Sequence, residues 1–555
     1  MNTMKIILGF LLLALLSLLI YSCQPEQRKL SLKEAPFVWE GANTYFLLTD
    51  RFLDGNDSTE VYFDRTQPTA KLRGFEGGNI RGVIQKIEEG YFDELGVNAI
   101  WMTPLFEQIH GGVDEGTGFT YPYHGYWPKD WTALDPNFGS YADLQELVQV
   151  AHKHGIRLLM DVVLNHTGPV TEKDPQYPDN WVRTGPRCTY ENQATAVTCT
   201  LVDNLPDIKT EADYEVELPP QLVEKWRAEG RLEEEQQELN QFFQETGLAR
   251  TPANYIIKWL TDYVRELGID GYRVDTVKHV EEEIWKELAQ QAQRAFKEWK
   301  SAHPDAVLDQ ADFYMLGEIY GYSIGNGRIY DFGDTQVDFF DHGFDNLINF
   351  QFKYDAEGDY EAMFSTYDSL LQGPLKGKSV MNYGTSHDDG QPFDAKRERT
   401  YELGTKLLLT PGVSQIYYGD ESGRSLIIPG TSGDATLRSP MNWDAFAKAE
   451  TQELLAHWQK LGQFRRDHPA VGAGKHRLLS KAPYLFSRIY TKEDFEDRVL
   501  IGLDLDEGLK TIPVAGVFED GTVLRDRYSD SRATVSGGEL IMDTPHGILL
   551  LEVLE

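Results

Sequence analysis

The stretch Gly268 to Val280, GIDGYRVDTVKHV, reads as a buried strand, yet it carries Arg273 and Asp275 two residues apart. Side chains alternate faces along a strand, so this cation and anion point the same way. A guanidinium beside a carboxylate favours its charged form and holds it in place, as a nucleophilic carboxylate requires. Other strand-like runs end in residues of the same kind. Asn165 and His166 close the third run, and Lys278 and His279 follow Asp275 in the fourth. Glu318 closes the fifth, and His387 and Asp388 the seventh. Any one of these alone reads as a cap or turn residue. Three carboxylates converging with histidines and an arginine would be costly to bury for structure alone. As a set they indicate nucleophilic and acid–base chemistry.

Such a set needs a scaffold that brings strand ends together. Eight β-rich runs follow one another: NTYFLLTDRF, GVNAIWMTPLF, IRLLMDVVLNH, IDGYRVDTVKH, FYMLGEIY, FDNLINFQF, KSVMNYGTSHD and VSQIYYGDE. Helical patterns fill most intervals. SYADLQELVQVAHKHG has Ser140 and Asp143 as a capping pair and Gly155 as its stop. NYIIKWLTDYVRELG places Ile256, Trp259, Leu260, Tyr263 and Leu267 on one face. This alternation predicts an α/β fold, a parallel (β/α)₈ TIM barrel over residues 37–468, with reactive groups at the C-terminal ends of its strands. Two stretches break the pattern. Residues 167–251, with both internal cysteines, read as a separate subdomain inserted after the third strand. Residues 469–555 turn to short strands with turn signals, as in a C-terminal antiparallel β-sandwich.

The 555 residues carry 53 Lys and Arg against 88 Asp and Glu, a formal charge of −35, which argues against nucleic acid as a partner. Lys5 precedes an apolar run from Ile6 to Ile20, the length of a signal-peptide core and short of the roughly 20 residues that a membrane span needs. The run ends LIYSC, which resembles the lipobox of bacterial lipoproteins, although Tyr21 departs from the usual small residue. The expectation is a leader over residues 1–23, a lipid anchor at Cys23 and a polar tether over residues 24–36. The alternative is an ordinary secretory signal with an incidental cysteine. In an exported chain Cys188 and Cys199 have one possible pairing, a short disulfide; two free thiols are the other possibility.

The motifs carry a specific likeness. DVVLNH (Asp161 to His166), GYRVDTVKH (Gly271 to His279), GEIY (Gly317 to Tyr320) and SHD (Ser386 to Asp388) resemble, in order, four signature regions of the α-amylase family, glycoside hydrolase family 13. LPDIKTE from Leu205 resembles a fifth, in the inserted subdomain. GVNAIWMTPLFEQIHG, QIYYGDES and HWQKLGQFRRDHPAVGAGK look closer still to the periplasmic α-amylases of Gram-negative bacteria. Tyr383 and Ser386 stand where many members have phenylalanine and asparagine.

The resemblance implies that Asp275 is the nucleophile, Glu318 the general acid and then base, and Asp388 a third carboxylate that binds sugar hydroxyls. Retaining enzymes of this kind hold nucleophile and acid about 5–5.5 Å apart. It implies that Arg273, His166, His387 and His124 bind at the cleavage point and that Tyr126 stacks on a sugar ring. It leaves Lys278 as either a contact on the leaving-group side or a solvated lysine. It also implies Ca²⁺, held by Asn165, Asp207 and the backbone carbonyl of His279, all oxygen donors. Asp54, Asn56 and Asn79 resemble a second calcium loop found in some members, or form an Asp-Gly turn. The expected activity is retaining hydrolysis of α-1,4-glucosidic bonds in starch or maltodextrin. The rivals are an α-glucan transglycosylase, a cyclomaltodextrinase- or neopullulanase-like enzyme, and a non-catalytic glycan-binding lipoprotein. The expected partner is a maltooligosaccharide. The protein is expected to be a monomer in the periplasm or at the outer membrane, touching the membrane only through its lipid.

Overall fold

Eight parallel strands close into a barrel: β1 (Asn43–Leu47), β2 (Ala99–Met102), β3 (Arg157–Val162), β4 (Gly271–Val274), β5 (Tyr314–Gly317), β6 (Asn346–Asn349), β7 (Ser379–Tyr383) and β8 (Val413–Tyr417). Each pairs with the next in sequence, and β8 returns to β1. All eight predicted runs are therefore barrel strands. The register sets Arg273 beside Asp161 of β3 and Leu316 of β5, so residues at the same height share one interior layer. The computed structural model describes residues 35–56 and 60–554, and residues 36–554 form one compact unit. The expected leader, the expected lipid anchor at Cys23 and residues 24–34 of the expected tether lie outside the described residues.

Local signals in the sequence act as expected. Helix Tyr141–Lys153 opens on a capping box in which Ser140 and Asp143 satisfy each other's free N–H groups. Helix Pro252–Leu267 starts at the Thr251 cap with proline in its first turn. It buries Ile256, Trp259, Leu260, Tyr263 and Leu267. It stops at Gly268, whose φ of +77° suits glycine and where a Cβ would come within 2.2 Å of the Trp299 ring. The close approach of Trp299 thus needs the same glycine that ends the helix.

The insert lies between β3 and that helix. It carries a two-stranded pair (Val182–Arg183 with Asp207–Ile208) and helices Pro220–Glu229 and Leu232–Thr246. It has no separate core. Trp181, Trp226, Leu239 and Phe243 join the barrel's own core cluster, and Trp181 stacks on Trp259 with ring centroids 6.2 Å apart. The insert's apolar side chains pack on the helix as well as on one another. Cys188 and Cys199 are bonded to each other.

The C-terminal part is antiparallel. Strands β9 (Lys475–Lys481), β10 (Tyr484–Lys492), β11 (Phe495–Leu503), β12 (Gly508–Pro513), β13 (Val523–Asp526), β14 (Arg532–Thr534), β15 (Glu539–Thr544) and β16 (Leu549–Val553) form a six-stranded sheet, order β9-β10-β11-β16-β13-β14, and a pair, β12-β15. Leu485, Leu500, Leu524 and Leu549 of the first sheet share a core with Ile512, Leu540 and Met542 of the second. His468, just after the last barrel helix (Ala449–Asp467), fastens this part on: Nδ1 donates to Asp497 at 2.8 Å and Nε2 to Glu552 at 2.7 Å. Among the described residues no helix is long and apolar enough to cross a membrane.

Candidate active site

The C-terminal ends of β3, β4, β5 and β7 meet around one guanidinium. Arg273 Nη1 donates to Asp161 Oδ1 at 2.9 Å and to Asp275 Oδ1 at 2.8 Å, and Nη2 lies 3.7 Å from Glu318 Oε2. Arg273 is 1% exposed, so these contacts act in a dry, low-dielectric place. After Asp275 the chain turns sharply, with Thr276 at φ +53°. That turn aims the Thr276 N–H at Glu318 Oε2, 2.8 Å away. Oε2 is thereby an acceptor, which leaves Oε1 to carry a proton. Burial, and behind it the charges of Asp275 and Asp388, push Glu318 up to about 7 against the pull of Arg273. Asp388 lies open to the cleft. Burial works against its charge, yet Arg273, Arg438 and the Ser386 hydroxyl hold it below the usual carboxylate range.

The histidines are neutral donors. Burial lowers His387 to about 4 and pushes His124 well below its ordinary value. Nδ1 of His124 accepts the Tyr126 N–H at 3.0 Å, so its Nε2 carries the hydrogen. His166 Nε2 donates to the Tyr126 carbonyl at 3.1 Å. Tyr126 donates its hydroxyl to Asp161 Oδ2 at 2.7 Å and stacks on His387 at 5.3 Å between ring centroids. These contacts hold the ring half-exposed at the site. Lys278 is half-buried, donates to the Tyr320 carbonyl at 2.9 Å, and lies 5.6, 5.7 and 5.9 Å from the ring centres of Tyr190, Tyr320 and Tyr330. The structure thus brings together Asp275, Glu318, Asp388, Arg273, His166, His387, His124, Tyr126 and Lys278.

The sequence reading assigned no role to Asp161, Trp101, Thr276, Arg438 or Tyr190. Asp161 carries the same signal as Arg273, a charge inside an apolar strand. Burial pushes it to about 7 even against Arg273. Trp101 Nε1 donates to its Oδ2 at 2.9 Å. Arg438 donates to the His387 carbonyl at 2.9 Å and pairs with Asp434 at 2.6 Å. It ends a short 3₁₀ helix (Gly433–Arg438) with no strand pattern, so only the fold reveals it.

The implied metal residues also meet. Because His166 donates through Nε2, its Nδ1 accepts the Asn165 amide N–H at 3.3 Å. The other end of that amide, an oxygen in this orientation, then lies 2.9 Å from the His279 carbonyl and 3.1 Å from Asp207 Oδ1. In this orientation three oxygens face one another, the donor set that a hard cation takes, and burial with the charges of Glu211 and Glu281 raises Asp207 to about 9 against Arg183, so its carboxylate lacks a compensating cation there. Asp207 keeps its other oxygen on Arg183 at 2.8 Å. Among the described residues no three His, Cys, Asp or Glu side chains form a denser metal cluster. The second loop is different. Asp54 Oδ1 accepts from the Asn56 N–H and the Asn79 amide, both at 2.9 Å, and the Asn79 oxygen caps helix Ile80–Glu88 through Gly82. These hydrogen bonds join Asp54, Asn56 and Asn79 in the manner of an Asp-Gly turn.

A family model described as "Alpha amylase, catalytic domain" matches residues 46–474. The periplasmic alpha-amylase of Escherichia coli (strain K12) is 36% identical over 525 residues, covering 84% of this chain and 72% of that protein. A cyclomaltodextrin glucanotransferase of Thermoanaerobacterium thermosulfurigenes is 28% identical over 456 residues, covering 80% of this chain and 57% of that protein. The crystal structure of the alpha-amylase from Geobacillus thermoleovorans complexed with acarbose is similar with a TM-score of 0.64 at 21% identity, over 94% of this chain and 100% of that one. At that identity the likeness speaks for the fold alone.

Proposed function

The chain belongs to the α-amylase family of glycoside hydrolases, and on that premise we propose that it cleaves α-1,4-glucosidic bonds of starch and maltodextrins with retention of configuration. The observation that carries this reading is the unequal treatment of two neighbouring carboxylates. Asp275 is ion-paired at 2.8 Å with Arg273, whereas Glu318, 3.7 Å from the same guanidinium, is raised to about 7. One is equipped as an anion and the other as a neutral acid. Asp275 attacks the anomeric carbon as Glu318 gives its proton to the departing glycosidic oxygen. The bond to that oxygen breaks and a glycosyl–Asp275 ester forms. Glu318, now a base, takes a proton from water, whose oxygen displaces Asp275. Asp388, His387, His166 and His124 hold the sugar hydroxyls, and Tyr126 offers its ring face.

Asn165, Asp207 and the His279 carbonyl are the residues that would hold calcium. The ion would supply structural cross-linking there, tying the insert to the end of β4. Similarity to the periplasmic alpha-amylase of Escherichia coli supports export, and the proposed lipid anchor at Cys23 would hold the enzyme at a membrane. The cyclomaltodextrin glucanotransferase relatives support a second reading, in which a sugar hydroxyl replaces water.

Proton NMR of maltoheptaose digestion by the purified protein, with Asp275→Asn beside it, tests this. Shorter oligosaccharides born as α-anomers and absent from the variant are expected. β-Anomers would overturn retention, cyclic or longer products would move the assignment to glycosyl transfer, and an unchanged spectrum would sink both.

A further inference from the structure

The loop that carries Asp388 is tied back to its own strand. Strand β7 ends at Tyr383, and the chain then runs from Gly384 through His387 and Asp388 to Asp389. Tyr383 is 1% exposed, and its hydroxyl donates to Asp389 Oδ2 at 2.7 Å. The same oxygen takes the ammonium of Lys353, which comes from the short helix Phe352–Asp355 that follows β6. Asp389 Oδ1 accepts the Gln391 N–H at 3.1 Å, and the Gln391 side-chain oxygen accepts the Tyr354 hydroxyl. Lys353 and Asp389 are both buried. The residue after Asp388 is thus held by the ends of two neighbouring barrel strands.

The close contacts of the Asp388 carboxylate come from within the loop. Ser386 donates its hydroxyl to Oδ1 at 2.9 Å, and His387 Nε2 lies 3.8 Å from Oδ2. The direction of Asp388 therefore depends on what fixes the loop. Arg438 holds it at the His387 carbonyl, and Asp389 holds it one residue past Asp388. Packing alone does not call for the second hold. A buried ion pair stabilises a fold little better than apolar side chains of the same volume, because both charges lose their water. A phenylalanine would fill the site of the Tyr383 ring equally well, so what its hydroxyl adds is the bond to Asp389. Tyr383 and Ser386 are also the two positions at which this chain departs from the residues of its resemblance, and both hydroxyls end on carboxylates of this loop.

We propose that Tyr383, together with Lys353, is a positioning residue that acts through Asp389 to set the direction in which Asp388 meets the sugar hydroxyls. The inference rests on the reading of Asp388 as the third carboxylate of the reaction.

A double-mutant cycle with α-maltosyl fluoride tests it. Fluoride leaves without a proton, which keeps slow variants measurable. Tyr383→Phe is expected to lower kcat about tenfold with KM little moved, the scale of a misplacement of less than an ångström. In an Asp388→Asn background the same change should cost little more, because the group that it misplaces is already gone. Lys353→Met should lose more than Tyr383→Phe, since it leaves Asp389 buried and unpaired. Adding Asp389→Asn, whose side-chain oxygen still accepts the Tyr383 hydroxyl, should restore most of the rate. Equal losses from Tyr383→Phe in the two backgrounds would mean a merely structural role and overturn the proposal, as would an unmoved kcat. A double variant no faster than Lys353→Met would overturn the part given to the ion pair. If Asp388→Asn alone left the rate unchanged, the parent reading of Asp388 would fall and this one with it.

Discussion

Asp161 and Arg273 stand side by side in neighbouring barrel strands, and the nitrogen that Arg273 gives to Asp161 at 2.9 Å is the one it gives to Asp275 at 2.8 Å. Asp161 in turn receives the Tyr126 hydroxyl and the Trp101 indole N–H. It is therefore the hub that fixes the direction of the guanidinium, and through it that of the nucleophile. Asp161→Asn is expected to lower kcat on maltoheptaose by about 10- to 100-fold with KM little moved, because misplacing a reacting group by about an ångström costs on that order. Circular dichroism and Tm check that the variant folds; a folded variant with unchanged kcat would remove Asp161 from this role.

Glu318, raised to about 7 mainly by burial, sets a pH limit. The acid works only while protonated, so kcat/KM on maltoheptaose is expected to fall as pH rises through about 7. Glu318→Gln should abolish this limb and lower the rate about 10²- to 10⁴-fold on maltoheptaose. The loss on α-maltosyl fluoride should be far smaller, since fluoride leaves without a proton. A pH profile unchanged in Glu318→Gln would transfer the acid role elsewhere.

The oxygen trio at Asn165, Asp207 and His279 predicts a calcium-dependent stability. Removing the ion with EDTA is expected to lower Tm by about 5 °C at near-saturating calcium, following the mass-action stabilisation of a bound state. Asp207→Asn should remove the response to EDTA. Differential scanning calorimetry with and without calcium measures it, and identical curves would leave the trio without an ion.

His468 predicts a pH-dependent attachment of the C-terminal sheets. Burial would lower its pKa, but hydrogen bonds to Asp497 and Glu552 override this and raise it to about 9. A group raised in the folded state stabilises fully below its unfolded value of roughly 6.5 and loses that contribution as pH rises through the folded one. His468→Gln should therefore lose several degrees of Tm at pH 6 and much less at pH 9.5. A gap that does not narrow would mean that His468 acts by packing alone.

Two buried arginines show what side-chain chemistry in the sequence cannot announce. Arg465 and Arg488 lie in the core, where they donate to backbone carbonyls and, for Arg488, to the His476 ring. Arg465 takes the carbonyls of Leu408 and Thr410 at 3.0 and 2.9 Å, and Arg488 that of Leu409 at 2.5 Å. These are the unpaired carbonyls at the C-terminal end of helix Thr400–Leu409, the negative end of its dipole. RRDHPAVGAGK, which begins at Arg465, carries the junction between barrel and sheets. Only the packing of distant segments turns a surface-type residue into a cap.

The eight strands, their helices and the three carboxylates were legible because each depends on local pattern. Period-2 and period-3.6 burial, caps, and charges at strand ends are written within about twenty residues of sequence. What only the tertiary structure decided depends on groups far apart in the chain. The sharing of one Arg273 nitrogen needs β3 beside β4 in register. The raised Glu318 needs burial among Asp275, Asp388 and Arg273. The insert's lack of its own core follows from a tryptophan stack with a barrel helix, and the place of Tyr190 beside Lys278 from a loop anchored on His279. Proximity across the fold, and the desolvation that comes with it, are properties of the closed barrel and not of any window of residues.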